Sequence, residues 1–391
     1  MGVINQLSKD LQIKWNRVQK KMIEIKADAC IISSNVNIYY LTGGVFTGYF
    51  YLPATGDPIL FVRRPIGLTD PKIVYIRKPE DIPSLLQARG IELPKHIMFE
   101  TDYLPYNEVI RLQNVFNSQN ISNATSLLRQ CRSIKTEWEI EQFRISAGKH
   151  AEVYAQIKNC YTPGISDTEF QANIEHVMRL NGSIGYFRVF GNNMDIYMGS
   201  ILTGENAACP SPFDFALGGE GSNPSLPIGA NGSTLKNGTS VMVDMAGNYT
   251  AYITDMTRTF SIGKLPSIAY EAHQVSLDIQ NAVIENSKPG TSCADLYRIS
   301  LEIADKAGLS SYFMGTTQQA KFVGHGVGLE INELPVLTER SKEFLESGVV
   351  FALEPKFVLP EIGAVGIENT FLVTDNGLEK ITLFEEHIIE L

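Results

Sequence analysis

The chain has 391 residues, more than a single hydrophobic core normally organises, so we expect two domains. Hydrophobic residues make up 44% and charged residues 19%, which is typical of a globular protein and excludes a disordered one. The net charge is −10 and no dense run of Lys and Arg occurs, which argues against nucleic acid as a partner. No apolar run reaches membrane-spanning length, so we expect a cytoplasmic protein with no membrane partner.

Residues 1–130 alternate helical and strand-like patterns. Helical periodicity covers residues 14–27 and 81–90, strand-like segments occur at 28–34, 49–55, 58–64 and 72–77, and an apolar segment occurs at 96–100. The segment NVNIYYLTGG, after the first of these strands, is expected to turn the chain. This alternation predicts a small α/β domain with a mixed sheet.

Residues 131–391 have a different pattern, with long helices and Pro-Gly breaks. Two pairs, each a long helix followed by a shorter one, are predicted at 136–161 with 166–182 and at 267–290 with 292–308. Ser166 is the expected cap of the second helix. Because Pro163-Gly164 and Pro289-Gly290 break the two pairs in the same way, we expect a duplicated αβ domain. Residues 183–240, rich in Gly and Pro, are expected to be a loop-rich region whose loops either line a site or connect elements at the surface.

Two aspartates occupy strand-like stretches of VMVDMAGNYTAYITDMTRTF. Asp244 and Asp255 are separated by a turn signal at Gly247-Asn248, so a reversal near Tyr249-Thr250 would place the two carboxylates opposite each other. For two aspartates alone, a structural ion pair or solvent exposure is the more common explanation.

Three further ionisable residues lie in apolar surroundings. His325 stands between two glycines in VGHGVG, which would let the backbone pass close to whatever the imidazole holds. Glu354 in FALEPKF and Glu368 in GAVGIENTF lie among residues that favour burial, and neither has an obvious basic partner in its own segment.

Four carboxylates around one imidazole would repel one another by about 4 kcal/mol per close pair at an effective dielectric constant of 20. Cations or protons must relieve this repulsion. Two divalent ions would balance the four negative charges, and the donor set suits manganese, cobalt, zinc or iron better than magnesium or calcium.

The segments VDMAG, TDMTRTF, GHGVGLE, ALEP and IEN, in this order and spacing, resemble the pita-bread metallopeptidases: prolidase, aminopeptidase P and methionine aminopeptidase. NVNIYYLTGG is similar to a stretch of the creatinase-type N-terminal domain, and RSIKTEWEIEQFRISAG to the helix that opens the catalytic domain. The likeness extends over nearly the whole chain. It implies an α/β fold with a creatinase-like domain at 1–130 and a pita-bread hydrolase domain at 131–391.

The resemblance also implies a function. It assigns the ligands of two divalent metal ions, with manganese expected first and cobalt, zinc or iron as alternatives, to Asp244, Asp255, His325, Glu354 and Glu368. Hydroxide activated by the metals would attack a peptide bond next to proline, with Glu354 passing the proton to the leaving nitrogen. Family members frequently dimerise, so a homodimer acting on a small peptide or amide substrate is expected.

Three positions depart from the family pattern, and all bear on substrate. Ile228 in LPIG stands where a substrate-handling histidine is expected, and no histidine lies between His176 and His273. Asn332 replaces the histidine of Glu-x-His-Glu-x-Pro, and Gly366 replaces the arginine of Val-Arg-Ile-Glu. Asn332 could still donate a hydrogen bond to a carbonyl and is the second expected catalytic residue.

Two other functions stay open at this stage. The first is a metal-dependent amidohydrolase acting on a non-peptide C–N bond, which the lost histidines favour. The second is a non-catalytic binding module of the same fold. The five cysteines lack metal or redox spacing and are expected to be inert, with Cys209 as the one candidate nucleophile.

Overall fold

The computed structural model describes residues 2–192 and 194–391, with side chains from residue 7 onward. Contacts divide the chain into two compact units, Met1–Arg132 and Ser133–Leu391. The division falls two residues beyond the predicted end of the first domain at residue 130.

The first unit contains one mixed sheet with helices. Its helices are α1 (Gly2–Glu24), α2 (Asn35–Thr42), α3 (Ile82–Gln87), α4 (Tyr106–Phe116) and α5 (Thr125–Ser133), the last extending one residue past the division. Its strands are β1 (Ala29–Ile32), β2 (Thr47–Pro53), β3 (Ile59–Arg64), β4 (Ile73–Tyr75), β5 (His96–Phe99) and β6 (Asn120–Asn123). The sheet order is β4-β3-β2-β1-β5-β6, with both parallel and antiparallel pairs. The predicted mixed sheet is therefore confirmed.

The turn predicted at NVNIYYLTGG is wrong, because Asn35–Thr42 form the helix α2. The hydroxyl of Ser34 accepts a hydrogen bond from the backbone N–H of Asn37, which caps the helix, and Gly43 ends it in the left-handed conformation. Buried Glu100 fixes the start of this helix, since it accepts hydrogen bonds from the backbone N–H of Ser34 and the side-chain amide of Asn37. The β-branched and aromatic residues of this segment are not typical of a helix, so the capping signal of Ser34 was not recognised from the sequence.

The second unit contains two helix pairs and three sheets. Its helices are α6 (Glu137–Tyr154), α7 (Asp167–Leu180), α8 (Ser267–Asn286) and α9 (Cys293–Lys306). Its strands are β7 (Gly199–Thr203), β8 (Ser240–Gly247), β9 (Thr254–Ser261), β10 (Phe322–Gly326), β11 (Glu333–Thr338), β12 (Val350–Leu353), β13 (Lys356–Leu359), β14 (Gly363–Gly366), β15 (Asn369–Thr374), β16 (Gly377–Lys380) and β17 (Ile389–Glu390). Short 3₁₀ turns in the chain lie at Pro79–Asp81, Ile157–Cys160 and Gly204–Ala208.

Each helix pair of the second unit packs on its own sheet. The apolar faces of α6 and α7 share a core with the sheet β17-β9-β8-β7, and those of α8 and α9 share a core with the sheet β11-β10-β12-β15-β16. Strands β13 and β14 form a separate antiparallel pair. The predicted helix pairs and the cap by Ser166, whose hydroxyl accepts from the backbone N–H of Glu169 at 3.1 Å, are confirmed.

None of the described helices combines the length and apolar character needed to cross a bilayer.

Gly247, at the end of β8, should tolerate no side chain. A Cβ there would lie 2.3 Å from Oγ1 of Thr254 and 2.4 Å from Nδ1 of buried His150. Gly247→Ala is therefore expected to destabilise the protein by about 1–3 kcal/mol, measured by urea unfolding. Gly148→Ala is the matched control, because a Cβ at this exposed position in α6 meets nothing within 4 Å and should stabilise the helix by about 0.5–1 kcal/mol. Equal stability of the two variants would contradict the packing described for the β8–β9 hairpin.

Candidate metal centre

The β8–β9 hairpin carries Asp244 and Asp255. Asp244 pairs with Thr257 and Asp255 pairs with Ala246, so the hairpin reverses between Thr250 and Ala251. The prediction that the two carboxylates lie directly opposite each other is therefore wrong, because the turn is centred one residue further along the chain than expected. They are diagonal neighbours on one face of the hairpin, a spacing that long or charged side chains can still bridge.

His325 lies in β10 between β11 and β12, paired with Val336 on one side and Ala352 on the other. Its Nδ1 lies 3.1 Å from the carbonyl oxygen of Gly326. Because a carbonyl can only accept, Nδ1 carries a proton, and Nε2 is the ring atom that faces the site. The flanking glycine is required by the neighbouring strand rather than by the imidazole, since a Cβ at Gly326 would lie 2.1 Å from the carbonyl oxygen of Leu334.

Neighbouring strand ends bring the two glutamates together. Glu354 follows β12 and Glu368 precedes β15, and these strands pair so that Leu353 lies opposite Asn369. Both side chains are buried, and carboxylates are rarely buried unless they have a partner.

The structure thus brings all five predicted residues into one ligand cluster: Asp244, Asp255, His325, Glu354 and Glu368. Two overlapping groups of donor atoms occur within it, and in each group the atoms lie within 4.8 Å of one another. The first group is Asp255, His325 and Glu368, and the second is Asp244, Glu354 and Glu368. Nε2 of His325 lies 3.3 Å from Oε1 of Glu354 and 3.9 Å from Oδ2 of Asp255.

A sixth residue, Lys356, enters the ligand cluster and was missed by the sequence analysis. Its Nζ lies 2.8 Å from Oδ2 of Asp244, 2.7 Å from Oε2 of Glu354 and 3.1 Å from Oε2 of Glu368. The expectation that Glu354 has no basic partner in its own segment is therefore wrong. The signal was the spacing of two residues between Glu354 and Lys356, which in extended chain directs both side chains to one side.

Polar neighbours fix the cluster from outside. The hydroxyl of Thr257 donates to Oε2 of Glu368 at 2.6 Å, and the hydroxyl of Thr370 donates to the backbone carbonyl of Asp255 at 2.9 Å. The buried guanidinium of Arg258 donates to the carbonyl oxygen of Glu368 at 2.8 Å. The bond from Thr257 restricts the orientation of the Glu368 carboxylate, and the other two fix the backbone of Asp255 and Glu368.

Burial and mutual repulsion perturb the acids of the cluster. Burial first, and then the charge of Asp244, raises the pKa of Asp255 from 3.8 to about 7. Burial and the charge of Asp255 raise the pKa of Glu368 well above its ordinary value. Burial also acts to raise the pKa of Glu354, but Lys356 and His325 outweigh it and lower that pKa to about 2. Opposite shifts among neighbouring acids are characteristic of functional sites.

The residues present fit a divalent cation. Oε1 of Glu368 is buried and makes no hydrogen bond within the described part of the chain, which is costly for a charged oxygen. Glu368 belongs to both donor groups, one of which also includes His325. Oxygen and imidazole donors converging in a buried site are the ligands that manganese, iron, cobalt and zinc bind.

Asn332 is engaged with a neighbouring loop. Its Oδ1 accepts from the backbone N–H of Phe190 at 2.7 Å, and its Nδ2 donates to the carbonyl oxygen of Phe190 at 2.8 Å and to Sδ of Met194 at 3.6 Å. A role as donor to the substrate stays a prediction. It requires Nδ2 of Asn332 to give up one of these bonds for a bond to the substrate.

The loop that carries Ile228 lies against the strand next to Asp244. A Cβ on Gly229 would lie 3.2 Å from Cβ of Ser200, and Ser200 pairs with Asp244 across β7 and β8. A cavity of about 330 Å³ opens between residues 207–218 of this region and residues 315–322, whose last member, Phe322, contacts the ring of His325 edge-on.

Cys209, the candidate nucleophile, lines this cavity. Burial, and then the charges of Glu220 and Glu205, raise the pKa of its thiol, so the reactive thiolate is disfavoured. The other four cysteines are buried.

This fold and a buried cluster of acidic residues around one imidazole define a class of metal-dependent hydrolases. Residues 141–375 match metallopeptidase family M24, and residues 14–134 match the creatinase/prolidase N-terminal domain. The chain belongs to metallopeptidase family M24.

Relatives cover the chain almost completely. The Xaa-Pro dipeptidases of Pyrococcus horikoshii and Pyrococcus furiosus are each 28% identical to it, over 96% of this chain and 99% of theirs. The solved Xaa-Pro dipeptidase from Bacillus anthracis superposes with a TM-score of 0.79 at 22% identity, over 97% of this chain and all of that one. The prolidase structure from Pyrococcus horikoshii gives 0.76 at 24% identity, over 96% and 99%. The predicted pita-bread fold is confirmed.

Adding Mn²⁺ should raise the melting temperature of metal-free protein more at pH 8 than at pH 5. The raised pKa of Asp255 means that the folded metal-free protein holds a proton that the unfolded chain has lost between pH 3.8 and about 7. Stability of the metal-free protein therefore falls as pH rises through this window, while metal binds the deprotonated cluster. The Mn²⁺-induced increase should grow by several degrees, since about 1 kcal/mol shifts the midpoint of such a domain by roughly 2–4 °C. Differential scanning fluorimetry with and without EDTA measures it, and an increase that is the same at both pH values would contradict this account.

Proposed function

We propose that the protein is a metal-dependent peptidase that cleaves the peptide bond preceding proline in small peptides. The observation that carries this proposal is the convergence of four carboxylates and one imidazole, from separate strands of an M24 domain, in one buried cluster. The names of the relatives, which are Xaa-Pro dipeptidases, support the choice of substrate. Nothing in the described structure favours the non-peptide amidohydrolase or the binding module.

The proposed metal ligands come from the five members of the ligand cluster, and manganese is the proposed metal. A divalent metal bound there polarises the carbonyl of the substrate and lowers the pKa of water. The number of ions that the cluster binds depends on Lys356.

The chain's own residues would hold and move the proton. Nδ1 of His325 donates to Gly326, which keeps the ring oriented with Nε2 toward the cluster. Glu354 lies next to His325 and Lys356 and is the proposed acceptor of the proton from the attacking water and its donor to the leaving nitrogen. Asp244 is the most exposed acid among the contacts of Lys356, at 24% of its side chain, and marks the side from which substrate would approach.

Binding of the substrate would use the cavity beside Phe322. Its volume suits a short peptide, and its wall includes both apolar and polar side chains, such as Phe213 and Gln318. Because Gly366 offers no charge for a free carboxylate, we propose substrates longer than a dipeptide. The homodimer and the cytoplasmic location stay predictions.

Removing one member of each donor group should end hydrolysis. Asp244→Ala with His325→Ala is expected to lower the rate on Xaa-Pro peptides in Mn²⁺ by more than about 100-fold, because even groups that merely orient metal ligands contribute 10–100-fold. The matched control is Asp278→Ala with His387→Ala, which removes the same residue types from exposed positions. The assay is release of the N-terminal residue from a panel of Xaa-Pro dipeptides and longer Xaa-Pro peptides.

Activity retained in the first double variant would disprove the metal mechanism. A wild-type protein that binds manganese but cleaves no peptide of the panel would disprove the proposed substrate and leave an amidohydrolase.

Asn332→Ala should raise KM rather than lower kcat. If Asn332 acts by holding Phe190, its loss frees the loop that carries Phe190, and roughly a 30-fold increase in KM matches the loss of two hydrogen bonds worth about 1 kcal/mol each. A direct role on the reacting carbonyl would instead lower kcat by about 100- to 1,000-fold. Asn173→Ala, which removes an amide bond to the carbonyl of Cys160, is the control.

A further inference from the structure

Lys356 is fully buried, yet its ammonium group is fully satisfied. An ammonium has three N–H donors, and Nζ of Lys356 has three acceptors between 2.7 and 3.1 Å, one on each of Asp244, Glu354 and Glu368. Burying a lone lysine would strongly favour its neutral form, whereas three carboxylates stabilise the charged form. The side chain is therefore a fixed positive charge within the ligand cluster.

The three partners of Lys356 are one of the two donor groups in the cluster. Asp244, Glu354 and Glu368 form the second group, and all three direct an oxygen at Nζ. The same three oxygens cannot hold an ammonium and a divalent ion together, because both would need the space between them. The first group, Asp255, His325 and Glu368, includes no contact of Asp255 or His325 with Nζ, and Oε1 of Glu368 makes no hydrogen bond within the described residues.

Lys356 packs closely against Gly366. Lys356 begins β13 and pairs with Gly366, the last residue of β14. A Cβ at position 366 would lie 2.7 Å from Cα and 3.1 Å from Cγ of Lys356, and 2.5 Å from the carbonyl oxygen of Pro355. A side chain at position 366 would therefore displace the lysine, so the two residues are coupled. Neither is exposed, which argues against an incidental surface contact.

The charges of the cluster also favour one divalent ion over two. Four ionised carboxylates, one ammonium and one divalent ion leave a single net negative charge. A second divalent ion would give the site a net positive charge in buried surroundings, where an unbalanced charge is costly.

We propose that the ammonium of Lys356 replaces one of two divalent cations, so that the ligand cluster binds a single metal ion at Asp255, His325 and Glu368. This inference rests on the proposed metal-dependent function and specifies its metal content. It revises the expectation of two ions.

Metal content tests the inference without reference to activity. Purified full-length protein is stripped with EDTA, incubated with excess Mn²⁺, desalted, and analysed for manganese per chain by mass spectrometry. Wild type should hold one ion and Lys356→Ala two, a two-fold increase. Lys135→Ala is the matched control, because it also removes a buried ammonium from a glutamate, Glu333, and should leave the count at one.

Electron paramagnetic resonance of the wild type gives a second measurement that needs no variant. One isolated Mn²⁺ gives an uncoupled six-line spectrum, and this is the expected result. Two ions in the wild type, an exchange-coupled spectrum, or a Lys356→Ala variant that folds and still holds one ion would each overturn the inference. Peptide cleavage by a protein with two ions would leave the proposed function standing, whereas a protein with one ion and no cleavage would overturn only the function.

Discussion

The second unit depends on one electrostatic constraint: negative charge collected around a buried imidazole must be balanced by positive charge. Four strands, β8, β9, β10 and β12, and the start of β15 place carboxylates and one imidazole within a few ångströms. Their burial would be unfavourable without cations. Lys356 supplies one positive charge permanently, and a divalent metal is the remaining requirement. The hydrogen bonds from Thr257 and Thr370 then hold the acids where that metal needs them.

The sequence pattern alone assigns all five residues to metal binding. In the structure they divide into a side that suits a metal ion and a side that is held by the ammonium of Lys356. Asp255 and His325 are not contacted by the ammonium and suit a metal ion. The donors on the side of Asp244 and Glu354 are held by an ammonium, which can orient a carboxylate but cannot polarise a carbonyl as a Lewis acid does. Gly366 is part of the same arrangement. It packs closely against Lys356, which leaves no space for the arginine that the family pattern predicts.

Much of the fold could be predicted from sequence, because periodicity and capping act locally. The long helices, the cap by Ser166 and most strands of the first unit follow from such signals. The helix α2 could not, since its cap is reinforced by Glu100, which lies far along the chain. The five acidic and imidazole positions were recognisable from spacing and family likeness. The contact of Lys356 with Glu354 is signalled by their spacing, but its contacts with Asp244 and Glu368, and those of Asn332 with Phe190, join segments that meet only in three dimensions.

The position of the metal tests this account most directly. A crystal structure of the Mn²⁺-soaked protein, with anomalous diffraction collected at the manganese edge, locates each ion independently of the protein atoms. The account predicts one anomalous peak per chain, bounded by Asp255, His325 and Glu368, with Lys356 still in contact with Asp244. Two peaks within the cluster, or one peak in the place of the lysine ammonium, would contradict it.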